Sequence, residues 1–214
     1  MTNRIALWLA ENGFGKIVRQ ESVGGGCIND SRRLHLDASK SLFLKQHAQA
    51  PEGMFRSEAV GLAALGRSQV LRVPNVLHVE EDFILLEDIG QGSPGTQFWT
   101  DLGEGLAQLH SEKYPQFGFS INNYCGLTSQ QNDPADDGHE FFANLRILKL
   151  ASQAFDQNQL DREELTKLEY IAANLARWIP KQPAVLIHGD LWSGNIHCDE
   201  EGRPALIDPA TYWG

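Results

Sequence analysis

Seven residues, Gly90-Gln91-Gly92-Ser93-Pro94-Gly95-Thr96, form the most breaker-rich stretch of the chain and divide it into halves of different texture. Before this stretch, residues 17–23, 28–36 and 41–46 carry strand patterning, joined by Gly24-Gly25-Gly26 and by a turn-rich 37–40. Residues 76–79 and 83–86 continue as a hairpin around Glu80-Glu81-Asp82. Helical spacing occurs here in 3–12, with Ile5, Trp8 and Leu9 on one face, and in 55–65, which carries Phe55, Leu62 and Leu65 and is closed by Gly66. After the breakers, helices dominate. Thr96 is placed to cap a helix from Gln97 to about Lys113, and turn residues predict a loop over 114–136. Helices follow over about 137–155 and 162–179, the second opened by Asp161 with Glu164 at capping-box spacing. Two short apolar strands, 184–187 and 205–207, flank a polar segment and read as a short closing hairpin, with Glu200-Glu201-Gly202-Arg203 as a turn. The expectation is an α+β chain with a β-rich first lobe over 1–88, a hinge over 89–96 and a mainly helical second lobe over 97–214.

With 214 residues, 42% of them hydrophobic and 21% charged, the chain can bury a sizeable core. Eighteen Lys and Arg against 28 Asp and Glu leave a formal charge of −10, which disfavours nucleic acid or an anionic membrane as the main partner. No apolar run approaches the ~18 residues of a membrane span, and residues 1–16 carry no cleavable signal pattern. Cys27, Cys125 and Cys198 cannot all pair within the chain and fit no zinc spacing, so a reducing cytoplasm is the expected compartment. The sequence leaves the oligomeric state open.

The sharpest chemical signal is His188-Gly189-Asp190-Leu191-Trp192-Ser193-Gly194-Asn195. Phosphoryl transfer needs a carboxylate to orient the acceptor hydroxyl and receive its proton, and oxygen ligands for a magnesium ion bridging the phosphates. An Asp two residues after a His, with an Asn five further on, supplies both from one loop, as in protein kinases. At the end of the next apolar strand stands Asp208, followed by Pro209-Ala210, where a second carboxylate can return to the same ion. The other reading is two turn aspartates at strand ends.

The first half offers matching parts. Gly24, Gly25 and Gly26 can bring backbone N–H groups against phosphate, or serve only as a flexible turn. Lys45 sits in the apolar strand segment Phe43-Leu44-Lys45, where an inward cation needs a partner. Glu58 on the following helix is the natural candidate, giving the strand-Lys to helix-Glu pair that places phosphates in kinases; a solvated surface charge is the alternative. Glu87, Asp88 and Ile89 run into the breakers and can offer backbone to an adenine edge, or simply end an edge strand. Together these signals predict an ATP-dependent kinase.

GGGCIN at 24–29, FLK at 43–45, FRSE at 55–58, FGF at 117–119, EFF at 140–142, HGDLWSGN at 188–195 and DPATYWG at 208–214 resemble the fructosamine kinase, or ketosamine-3-kinase, family. That family is related to aminoglycoside and choline phosphotransferases and shares the protein-kinase-like two-lobed fold. The resemblance implies transfer of the ATP γ-phosphate to the 3-hydroxyl of a ketosamine, such as a fructosamine or ribulosamine on a glycated amine. It further implies Asp190 as catalytic base, Asn195 and Asp208 on magnesium, Lys45 with Glu58 on the phosphates, and Glu87 to Ile89 against adenine. Two departures stand out. Residues 132–139 lack the Trp that the family carries before its Phe-Phe pair, and relatives continue past Gly214, so the C-terminal helices of the large lobe are expected to be absent.

Trp192, between the presumed base and the metal-binding Asn, can stack on a sugar face or pack between lobes. His188 is expected to orient its loop rather than take a proton. His197, Cys198 and Asp199 are adjacent on an alternating strand and cannot converge on one ion. Cys27 follows the glycines and is a candidate redox-sensitive thiol, with an inert buried thiol as the alternative. Asp133, Asp136, Asp137 and Glu140 can attract a cationic amine or be helix-start charges. The competing functions are an aminoglycoside- or choline-type phosphotransferase and a nucleotide-binding protein without turnover. A protein kinase is disfavoured, since Asp208-Pro209-Ala210 replaces Asp-Phe-Gly.

Overall fold

A computed structural model describes residues 2–24 and 29–214. Gly25, Gly26, Cys27 and Ile28 lie outside the described residues. The chain opens with α1 (Thr2–Glu11), then β1 (Ile17–Ser22), β2 (Asp30–Leu36) and β3 (Ser41–Gln46), followed by α2 (Met54–Gly66), β4 (Val76–Val79) and β5 (Phe83–Glu87). The five strands form one antiparallel sheet in the order β1-β2-β3-β5-β4.

Side-chain alternation along these strands decides what each face meets. Leu34 and Leu36, Leu42 and Leu44, and Phe83 and Leu85 point to one face, where Ile5 and Leu9, one turn apart on α1, cover them. Ile84 and Leu86 point to the other face and pack on Phe55 and Leu62 of α2. Phe43 and Lys45 share the parity of that second face. On α2, positions 55, 58 and 62 recur at helical spacing, so Glu58 turns toward the same face as Phe55 and Leu62. The pleat of one strand and the stripe of one helix therefore bring a cation and an anion together. Gly66 belongs to the helix, which continues one residue further than its role as a terminator predicts.

Beyond the sheet, residues 89–92 are tied to the segment 197–200. The Gly92 amide donates to the Cys198 carbonyl, the Glu200 amide to the Ile89 carbonyl, and His197 Nε2 to the Gly90 carbonyl at 2.6 Å. The helix that follows is α3 (Phe98–Leu109), shorter than the spacing predicts at both ends. Gln97, not Thr96, is its N-cap, and no side chain caps it. Lys113 leaves the helix because β6 (Lys113–Tyr114) pairs with a later strand.

The predicted 114–136 loop contains a hairpin of β7 (Asn123–Cys125) and β8 (Thr128–Gln130). Next come α4 (Gly138–Phe142), a π-helical turn over Ala143–Leu148, α5 (Lys149–Asp156) and α6 (Arg162–Ala173). Asp161 and Glu164 form the expected capping box. A 3₁₀ turn, Leu175–Arg177, replaces the end of the predicted second helix.

The last four strands are β9 (Ala184–Ile187), β10 (Ile196–Cys198), β11 (Pro204–Leu206) and β12 (Tyr212–Trp213). The predicted hairpin between the two apolar strands does not form. β9 lies between β6 and β12, while β11 pairs with β10. Among the described residues no helix is long and apolar enough to cross a membrane.

Candidate active site

The pairing of the last four strands brings the chemistry-bearing residues together. β12 beside β9 sets Ile187 against Tyr212, and the Ala210 amide donates to the His188 carbonyl at 2.9 Å. β10 beside β11 sets Ile196 against Leu206, and the Ile207 amide donates to the Asn195 carbonyl. The loop after β9 and the strand end after β11 thus converge, although they lie far apart in sequence.

Asn195, 5% exposed, is the centre of this junction. Its Nδ2 donates to the Asp190 carbonyl oxygen at 2.8 Å, to Asp190 Oδ2 at 3.2 Å and to the Asp208 carbonyl oxygen at 3.5 Å. Asn195 Oδ1 is thereby left as the side-chain atom that can face a cation. Asp208 holds a left-handed backbone with φ 56°, directly before a proline. Such conformations cost about 1–3 kcal/mol in a non-glycine residue and persist where the surroundings impose them.

Lys45 closes the group. Its ammonium donates to Glu58 Oε1 and to Asp208 Oδ1, each at 2.6 Å. Burial alone would push the Lys45 pKa down, but the two flanking carboxylates outweigh it and hold the ammonium charged, with its pKa raised. His188 serves the loop. Its Nε2 donates to the Ile207 carbonyl and its Nδ1 accepts the Asp190 amide, which fixes one neutral tautomer. Burial holds its pKa below the ordinary histidine value.

Two cavities meet at this cluster, and Ser31, Lys45, Asn195 and Asp208 line both. The first, about 210 Å³, is walled by Gly24, Phe43, Leu86, Glu87, Asp88 and Ile89 on the sheet side and by Ile207 below. The second, about 240 Å³, is walled by Asp190, Trp192, Tyr124 and Met54. Asp190 and Trp192 therefore face the second cavity, and the segment 87–89 faces the first. The Glu87 carboxylate is held by Arg72 and Asn75, which fixes the end of β5. Gly25, Gly26 and Cys27 are the three predicted site residues outside the described residues.

Several groups were not read from the sequence. Arg33 on β2 lines the first cavity and donates to Asp88 at 2.6 Å. β2 is mostly polar, so Arg33 did not stand out by pattern; its pairing opposite Phe43 places it on the face of Lys45. Tyr124 was hidden in what reads as a polar loop. Asp133, Asp136, Asp137 and Glu140 line neither cavity; Asp137 caps α4 and pairs with Lys181.

The oxygen donor set suits a hard cation. Among the described residues no cluster of three or more His, Cys, Asp or Glu could hold a metal ion by itself. One carboxylate, one amide oxygen and phosphate oxygens are the sharing that magnesium accepts, because it keeps water and substrate ligands. His197 and Asp199 are engaged with separate partners, His197 with the Gly90 carbonyl and Asp199 with Arg203.

Comparison with solved structures places this architecture among the protein-kinase-like phosphotransferases. An ADP-bound aminoglycoside phosphotransferase APH(2'')-Ib matches 97% of the chain at TM-score 0.59 and 17% identity, covering 71% of that protein. A Thermobifida fusca structure provisionally assigned as a fructosamine-3-kinase matches all of it at TM-score 0.86 and 29% identity, covering 75% of that protein. The fructosamine kinase family model matches residues 1–214, and the chain belongs to that family. The protein-ribulosamine 3-kinase, chloroplastic, of Arabidopsis thaliana is 36% identical over 96% of the chain. The chain spans 65% of that relative's length.

Proposed function

We propose that the protein transfers the γ-phosphate of ATP to a hydroxyl of a small glycated amine, with the 3-hydroxyl of a fructosamine or ribulosamine as acceptor. The observation that carries this reading is the seam of two cavities at Lys45, Asn195 and Asp208, with Asp190 on one side only. ATP is assigned to the first cavity, where the backbone of 87–89 meets the adenine edge and Gly24 lies on the side of Lys45 and the phosphates. Lys45, oriented by Glu58, places those phosphates. Asn195 and Asp208 would hold a magnesium ion, which supplies charge neutralisation at the phosphate oxygens when bound.

The acceptor fits the second cavity. Asp190 orients its hydroxyl and takes the proton as the oxygen bonds to phosphorus and ADP leaves. Asn195 fixes the Asp190 carboxylate for that task through the bond at 3.2 Å. Trp192, more than half exposed, offers an indole face to the sugar. The names of the relatives, protein-ribulosamine 3-kinase and ketosamine-3-kinase, support the acceptor class.

The test is ADP release with Mg-ATP and a panel of a synthetic fructosamine, a ribulosamine, choline and an aminoglycoside. Turnover confined to the first two is expected. Turnover on choline or the aminoglycoside alone contradicts the acceptor class, and ATP binding without turnover on any acceptor contradicts catalysis.

A further inference from the structure

Alternation along β7 sends neighbouring side chains in opposite directions. Asn123, 3% exposed, donates from Nδ2 to the Thr211 carbonyl at 2.8 Å, three residues beyond Asp208. Tyr124 turns the other way, and its hydroxyl donates to the Glu52 carbonyl, just ahead of α2, at 3.1 Å. Tyr124 lines the second cavity together with Met54, Gly126, Asp190 and Trp192.

Among the described residues, two side-chain hydrogen bonds run from the segment before the hinge to the segment after it, Lys45 to Asp208 and Tyr124 to Glu52. The first belongs to the seam, since Lys45 and Asp208 line both cavities. The second belongs to one side of that seam, since Tyr124 and Met54 line the second cavity and not the first.

We propose that Tyr124 is an acceptor-binding residue, its ring tethered by the Glu52 carbonyl as a second aromatic surface, besides Trp192, for the glycated amine. This rests on the second cavity taking the acceptor. A ketosamine presents apolar C–H faces edged by hydroxyl groups, and an aromatic ring with a polar tip matches that pattern. The phenolic O–H is spent on Glu52, so the oxygen can only accept, which suits a ligand rich in hydroxyl and ammonium donors. A side chain tethered at its tip has little torsional freedom left to lose when a ligand lands on it, so contact with it is retained as affinity. Asn123 holds the base of the same strand against the segment after Asp208, so the ring is registered to the site from both ends.

The experiment measures the KM for a synthetic fructosamine, the KM for ATP and kcat in the wild-type protein, Tyr124→Ala and Tyr124→Phe. Tyr124→Ala is expected to raise the fructosamine KM at least about tenfold, and Tyr124→Phe, which keeps the ring and loses the tether, about two- to fivefold. The KM for ATP is expected to stay within about twofold of wild type in both. A merely structural role would move both constants together. Tyr124→Phe, which removes only the hydroxyl, decides the question if the alanine variant unfolds. An unchanged fructosamine KM in either folded variant, or a KM for ATP that rises in step with it, overturns the proposal. Wild-type protein that binds ATP and turns over no fructosamine overturns instead the assignment of the second cavity, and this proposal with it, so the two failures are distinct.

Discussion

The Lys45 ammonium lies 2.6 Å from Asp208, a residue 163 positions further along the chain, and equally close to Glu58 on its other side. The side chains of Lys45 and Glu58 are 5% and 10% exposed, whereas that of Asp208 is 40% exposed. The cation is thus shared between an inner partner that stays and an outer partner open to the cavity. Phosphate oxygens can take the outer place while Glu58 keeps the lysine aimed.

Removing Lys45 therefore has two separable effects. Lys45→Met strands the Glu58 carboxylate in the interior, which costs about 3–5 kcal/mol in comparable broken pairs. Turnover is expected to fall about 10²–10³-fold, the usual loss for one charge-stabilising donor. Lys45→Met with Glu58→Leu is expected to recover most of the stability and none of the activity. Denaturant unfolding and steady-state kinetics on both variants check this.

Asn195 and Asp208 are expected to act on the metal. Asn195→Ala and Asp208→Ala should raise the magnesium concentration for half-maximal activity at least about tenfold, by analogy with losses at metal-supporting residues. A magnesium titration at saturating ATP reads this directly. An unchanged midpoint in both variants would remove the ion from that place.

His188 makes stability depend on pH. Its folded-state pKa is lowered, chiefly by burial, so the unfolded chain binds the proton first as pH falls. The stability that the neutral ring contributes is complete above the ordinary histidine value of about 6.5 and declines as pH drops below it. His188→Gln can keep the donor to Ile207 without titrating. Melting temperature measured from pH 7.5 to 5.5 is expected to fall less steeply in that variant.

Gly189 sits between His188 and Asp190 at φ 82°, and a Cβ there would collide with the Ala210 carbonyl oxygen. Gly189→Ala should lose at least the 1–2 kcal/mol of a left-handed residue, and kcat should fall with it because Asp190 is displaced. A unchanged urea midpoint would show that the β9–β12 junction has room to give.

What the sequence disclosed followed from how local each signal is. Asp190 and Asn195 lie five residues apart on one turn, and Lys45 and Glu58 lie on neighbouring elements of clear strand and helix patterning, so spacing together with the kinase motif suggested both pairs. The β7–β8 hairpin was illegible because its strands are three residues long and carry no apolar alternation, Asn-Tyr-Cys against Thr-Ser-Gln. Asn123 and Gln130 are buried all the same, so hydrophobic alternation had nothing to show. The closing hairpin was misread for a related reason. Residues 184–187 and 205–207 are both apolar, and pattern cannot tell which partner each takes; β12, two residues long, captures β9. Lys113 continued the helical pattern of α3, but pairing of β6 with β9 overrode it. The Arg33–Asp88 pair spans 55 residues and depends on register that only the folded sheet supplies.

The most direct test of Asp190 as base is turnover of Mg-ATP and a synthetic fructosamine by Asp190→Asn, alongside the dissociation constant for ATP. Turnover is expected to fall about 10²–10⁴-fold while ATP binds as tightly as in the wild type, because Asp190 borders the cavity proposed for the acceptor and not the one proposed for the nucleotide. Wild-type turnover in that variant, or loss of ATP binding in step with activity, would contradict it.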